Sequence, residues 1–161
     1  MAERTRGYAH RIDVEAPIEL VWRGLVDAEL LASWCGPGAR VSAREGGGYN
    51  ICINGELERE AHIDVFDPGR RLRLIYLPPR GVPPTEAVMV DDFILGAEQR
   101  SVALRLMGSG FPQDEGWDAY YARVRAAWGL ALARLKVCSE QLASGKRQAK
   151  PVPTPPAPRR R

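Results

Sequence analysis

Met89, Asp91 and Phe93 share one side of an extended segment read over 87–95. If the two apolar residues face the interior, so does Asp91, and an inward carboxylate needs a partner or an unusual pKa. His10 and Arg59 lie on the inward parity of their own segments and could supply that partner. Such a group in a pocket could anchor a ligand or move a proton. A register change that turned Val88 and Val90 inward would instead leave Asp91 in solvent, and this simpler arrangement is the favoured expectation. Asp91, or a tyrosine of the same pocket, is thus the candidate acid or base, and the rest of any catalytic set is unknown.

A second group of residues could bind. Trp117, Tyr120, Tyr121, Val124 and Trp128 crowd one half of a long apolar stripe, and Tyr49, Ile51, Tyr76, Met89, Phe93 and Phe111 come from the segments before it. Together they could line a pocket whose buried tyrosine hydroxyls would offer hydrogen bonds to a ligand or to water. They could equally form a filled aromatic core.

Other patterns lead nowhere. Gly46-Gly47-Gly48 lacks the Lys-Ser/Thr and the helix of a phosphate-binding loop, so it is read as a turn or bulge. Two histidines, His10 and His62, and three scattered cysteines, Cys35, Cys52 and Cys138, support neither a nucleophilic triad nor a metal site. No cofactor is expected. Glu45, Glu56, Glu58 and Glu60 are read as solvent-facing strand charges.

The elements that position these residues follow from periodicity. In 116–144, Trp117, Tyr121, Val124, Trp128, Ala131, Leu135, Cys138 and Leu142 recur at alternating gaps of four and three, which predicts one apolar face of a helix roughly 40 Å long. Asp118, Arg123, Arg125, Arg134, Lys136 and Glu140 fall off that face and are expected in water. Tyr8, His10, Ile12 and Val14 alternate in a first strand. Pro17 opens a short helix over 18–25, and Asp27 caps a second over 28–34. About six strands follow: 39–44, 49–53, 57–66, 72–76, 87–95 and 101–107. Asn54-Gly55 and Asp67-Pro68-Gly69 mark tight turns, and another turn is read at 96–98. The Pro-rich stretch 77–86 is a loop that could gate a pocket mouth. Consecutive strands joined this way predict an antiparallel meander with one face covered by the long helix.

The chain has 161 residues, 45% hydrophobic and 27% charged, which suits one α+β domain over 1–144. No apolar run could span a membrane and no signal peptide is evident, so a cytoplasmic location is expected. The net charge of +3 is uneven. Six basic residues and no acid follow Glu140; without them 17 basic face 20 acidic residues. The body is therefore mildly acidic, and nucleic acid is not an expected partner. Residues 145–161, Pro-rich and basic, are expected to be a disordered tail that could touch an acidic partner.

The order of elements resembles the helix-grip fold of the START-related, birch-pollen-allergen-like superfamily (SRPBCC), over roughly 8–143. The local matches look most like the branch named after the activator of the heat-shock-protein-90 ATPase. Ile12-Asp13-Val14-Glu15-Ala16-Pro17-Ile18 with Val21-Trp22 resembles that branch's opening strand and helix. Leu31-Ala32-Ser33-Trp34-Cys35-Gly36-Pro37 resembles its Trp-Trp-x-Pro turn, with Cys35 in place of the second Trp. Gly46-Gly47-Gly48-Tyr49, Asp67-Pro68 with Arg70-Arg71-Leu72, and Ser109-Gly110-Phe111 with Ala127-Trp128-Gly129, Leu132 and Leu135 complete the set. The resemblance implies a seven-stranded antiparallel sheet curled around the final helix, with an apolar cavity between them. It favours the pocket over the filled core, and hence a small hydrophobic, aromatic or lipid-like ligand. Cyclase or hydrolase chemistry in the same cavity and a chaperone-accessory or regulatory module, which could be a homodimer, are the alternatives, because fold alone does not decide among them.

Overall fold

A computed structural model describes residues 3–145. Seven antiparallel strands form one sheet: β1 Thr5–Val14, β2 Arg40–Val41, β3 Gly48–Ile53, β4 Leu57–Asp67, β5 Arg71–Tyr76, β6 Val90–Ala97 and β7 Val102–Pro112. Their spatial order is β1-β7-β6-β5-β4-β3-β2, so only the β1–β7 pairing departs from a meander. Helices α1, Ile18–Val26, and α2, Ala28–Trp34, follow β1. Helix α3, Asp118–Ala143, lies over the inner face of the sheet. This is the seven-stranded helix-grip arrangement expected.

Local chemistry explains the boundaries. The Asp27 carboxylate accepts from the Glu29 and Leu30 amides at 3.0 and 3.2 Å and starts α2 only one residue after α1 stops. Asn54 and Gly55 both take positive φ, 58° and 72°, which makes the β3–β4 connection a tight turn matched to strand twist. Along β3, Tyr49, Ile51 and Ile53 are buried while Asn50 and Cys52 are not. On α3 the predicted stripe holds: Trp117 just before it, then Val124, Trp128, Ala131 and Leu135, are buried, with Tyr121, Cys138 and Leu142 half-buried.

Several boundaries differ from those expected. β2 has two residues rather than six. β6 begins at Val90 and continues through Ala97, so its turn falls at 98–101, closed by the Glu98 amide on the Ser101 carbonyl at 2.8 Å. β7 runs five residues past Met107, through the glycines read as a loop. A bulge in β4 between Ile63 and Val65 turns Val65 off the core face and lets Phe66 reach the Trp22 ring, 5.4 Å between centroids. Trp117 closes a single 3-10 turn, and α3 proper begins at Asp118.

Not all the off-stripe charges of α3 are left to water. Arg134 Nε donates to the Trp34 carbonyl at 2.8 Å, and its Nη2 reaches the Asn54 side chain. Lys136 donates to the Asp13 carbonyl and to Glu140, and Glu140 accepts from the Glu15 amide at 2.9 Å. These contacts fix the C-terminal half of α3 onto α2 and the end of β1. Of the tail expected over 145–161, residues 146–161 lie outside those described. No helix among the described residues is long and apolar enough to cross a membrane.

Cys35 is fully buried at the end of α2. Burial pushes its thiol up to about 12, with Arg134 opposing the rise. Its neutral form is the folded form, so this stabilisation is complete below the ordinary thiol range and is lost as pH rises toward 12. At pH 8 the thiolate fraction should be about a thousandfold below that of a free cysteine. A thiol reagent should therefore count two reactive cysteines in the folded protein and three in denaturant. Fast labelling of Cys35 in the native state would contradict this burial.

Candidate functional site

Three adjacent strands bring the polar centre together. Tyr8 of β1 pairs with Gly108 of β7, which pairs with Asp91 of β6, in one row across the sheet. Adjacent strands are about 4.8 Å apart, so a side chain must cross a strand to join Tyr8 to Asp91. Gly108 permits this. A Cβ there would run into the Tyr8 ring, whose atoms lie directly over it. Lacking one, Gly108 lets the ring lie across β7 and place its hydroxyl on Asp91 Oδ1.

A second side chain arrives from the opposite direction. Arg59 of β4 reaches over Tyr76 of β5, its guanidinium carbon 3.5 Å from the Tyr76 ring centroid, and Nη1 donates to Asp91 Oδ2 at 2.9 Å. From above, the Trp128 indole of α3 donates to the same Oδ2 at 3.0 Å. Asp91 thus accepts from β1, β4 and α3 at once. Both members of the ion pair are buried, with side-chain exposures of 1% for Arg59 and 0% for Asp91.

This overturns the favoured expectation for Asp91. Met89, Asp91 and Phe93 are all inward, and Val88 is 53% exposed. No bulge intervenes, because β6 pairs in unbroken register with β7. Arg59 is the partner named from parity; His10 is not. The His10 ring instead sits 5.6 Å from that of Tyr8, beneath Gly129. Burial lowers the His10 pKa, with the Arg125 backbone opposing it. Tyr8 and the Trp128 indole are the partners that strand parity does not reveal. The available signal was a glycine, Gly108, in a strand interior, where a ligand or another group often approaches closely.

The electrostatics keep this centre in one protonation pattern. Burial first, and then the Asp91 charge, raise the Tyr8 and Tyr76 hydroxyls well above the ordinary tyrosine range. Burial does the same for Tyr49, helped by Cys35. All three remain proton donors at neutral pH. Burial works against the Arg59 charge, but the paired Asp91 carboxylate outweighs it and holds the guanidinium firmly protonated.

The expected ligand residues separate into groups. Phe111, Trp117 and Tyr120 adjoin one another, with centroids 6.1 Å apart for Phe111–Tyr120 and 5.9 Å for Trp117–Tyr120. Phe111 also lies 5.8 Å from the Arg59 guanidinium. Phe93 and Trp128 meet edge to face at 5.6 Å. Tyr121 packs on Tyr8 and Phe111, while its hydroxyl donates to the Gly7 carbonyl and Arg6 covers its ring. Tyr49 faces the other way: its hydroxyl donates to the Leu25 carbonyl at 2.7 Å and ties β3 to α1. Ile51, Met89 and Val124 are buried apolar neighbours in the same core.

Arg59 Nε, Arg59 Nη2, the Tyr76 hydroxyl and Trp117 Nε1 are buried with no hydrogen-bonded protein partner, as is His10 Nε2 beside Tyr8. Three open clefts of about 800, 420 and 840 Å3 lie elsewhere on the surface, and none is lined by the expected ligand residues. Among the described residues, no three His, Cys, Asp or Glu side chains gather as a metal site.

Residues 15–140 match the family described as "Activator of Hsp90 ATPase homolog 1-like protein". The chain belongs to this family. Solved structures agree on the fold. Protein MLL2253 from Mesorhizobium loti superposes with a TM-score of 0.71 at 19% identity, over 83% of this chain and 96% of that one. The Aha1 dimer from Colwellia psychrerythraea gives 0.70 at 17%, over 84% and 96%. DynU16, described as a putative protein in the dynemicin biosynthetic locus, gives 0.66 at 19%, over 90% of this chain and 48% of that one. No curated protein matches the chain by sequence. The family rests on the match over residues 15–140, the solved structures at these identities agree on the fold alone, and the site chemistry rests on the residues described above.

Proposed function

We propose that this member of the Hsp90-activator family binds a small hydrophobic, aromatic or lipid-like molecule between the sheet and the N-terminal half of α3. The observation that carries the reading is the set of unpartnered buried polar atoms on Arg59, Tyr76 and Trp117 within an aromatic cluster. A buried donor left without an acceptor costs about 1–3 kcal/mol, so two on one fully buried guanidinium stacked on Tyr76 call for a partner. A bound molecule or water supplies the missing partners. Tyr76, Phe111, Trp117 and Tyr120 would provide the ring surface nearest those atoms. Met89, Phe93, Val124 and Trp128 would form the floor beside Asp91. The family's common use of hydrophobic ligands points the same way, as does a neighbour from a biosynthetic locus.

Asp91 serves this reading as a positioning residue. Three fixed donors occupy its oxygens, which suits holding Arg59 in place better than taking a proton from a substrate.

The neutral probe N-phenylnaphthylamine tests the proposal. Its fluorescence should rise with the folded protein, transfer energy from tryptophan, and fall when flat or lipid-like competitors are added. A probe that stays dark, or that flat and lipid-like molecules fail to displace, would remove the proposal.

A further inference from the structure

We infer that the ligand carries a carboxylate, received by the Nε–Nη2 edge of Arg59. This deepens the binding proposal above and rests on it. A guanidinium presents two parallel N–H bonds along that edge, spaced to meet both oxygens of a carboxylate. The protein uses the same edge elsewhere: Arg71 Nε and Nη2 grip the two oxygens of Asp92 at 2.8 and 2.6 Å. Arg59 is arranged differently. Asp91 is held by Nη1 alone, and both Nε and Nη2 are left without a protein partner.

Nothing about this edge is accidental. The Tyr76 ring fixes the guanidinium plane by stacking beneath it at 3.5 Å. Asp91, locked by Tyr8 and Trp128, prevents the group from turning to offer Nη1 instead. Because Tyr8 and Trp128 share the Asp91 charge, the Arg59 charge is not consumed by its first partner. A water oxygen could accept from both N–H groups, but it brings no countercharge to the guanidinium. A carboxylate satisfies the fork in one step, and the aromatic cluster beside it takes the apolar body of the molecule.

Pyrenebutyrate and pyrenebutanol have the same ring and chain and differ in the end group. With the full chain, the acid should bind at least about tenfold more tightly than the alcohol at neutral pH. Arg59→Lys keeps a positive charge beside Asp91 but cannot present the planar fork. It should bring the acid down to the alcohol and abolish the preference between them. If that variant does not melt cooperatively, Arg59→Met with Asp91→Leu replaces it and should show the same loss of preference. Equal binding of acid and alcohol, or an acid preference that survives in the variant, overturns the carboxylate and leaves the hydrophobic site standing. Binding of neither molecule overturns the binding proposal itself.

Discussion

Asp91→Asn should destabilise the protein by about 3–5 kcal/mol, read as a shift in the urea midpoint at constant slope. The reason is the company the carboxylate keeps. Arg59 is buried and protonated, and Asp91 is the acid it is paired with. An amide removes the countercharge and presents an N–H group to a site surrounded by donors from Tyr8, Arg59 and Trp128. A buried ion pair need not add net stability, since desolvation of both charges opposes their attraction. Breaking one side is different, because the remaining charge is left buried and alone. Arg59→Met with Asp91→Leu should therefore cost less than Asp91→Asn by itself. A cost below about 1 kcal/mol for Asp91→Asn would mean that solvent reaches the pair, contrary to its burial.

Gly108→Ala should cost a similar amount, about 3–5 kcal/mol, although it adds only a methyl group. The new carbon would occupy the space of the Tyr8 ring, and a ring cannot yield as the end of a flexible chain does. Overpacking of this kind costs about 1–3 kcal/mol. The ring would also move its hydroxyl off Asp91, losing a hydrogen bond to a charged group worth about 1.5–3 kcal/mol. A second substitution separates this cause from a general dislike of side chains in β7. In a Tyr8→Val background the ring is gone, and Gly108→Ala should then cost less than about 1 kcal/mol. Additive costs in the double-mutant cycle would show that Tyr8 does not lie over Gly108.

These two variants mark where the sequence can be read and where it cannot. The α3 stripe, the Asp27 cap and the Asn54-Gly55 turn are local patterns, and each is found where periodicity puts it. The family resemblance drew on the same kind of pattern and led to the right fold. Asp91 was misjudged because strand parity says which way a residue faces but not what it meets across the sheet. A lone inward carboxylate looks too costly until Tyr8, Arg59 and Trp128 arrive from positions 83, 32 and 37 residues away. The extension of β7 was hidden for a related reason. Glycines at 108 and 110 read as loop signals, yet Gly108 makes room for a ring and Gly110 lies against the Val88 backbone with φ at 87°. In both cases long-range packing overrode local propensity.

Three buried tyrosines set the alkaline limit of stability. Tyr8, Tyr49 and Tyr76 are held neutral by burial, so their contribution is complete below the ordinary tyrosine pKa and is lost as pH rises through their raised values. The polar centre beneath α3 is therefore secure across neutral pH, which a binding site at Arg59 requires.

The most direct test is a crystal of the full chain soaked with pyrenebutyrate and solved at high resolution. Density for the ligand is expected between the sheet and α3, with its carboxylate oxygens about 2.8 Å from Arg59 Nε and Nη2 and its rings against Phe111, Trp117 or Tyr120. A ligand seated only in the surface clefts, over an aromatic core that is solid and an Arg59 fork bonded to protein groups, would contradict it.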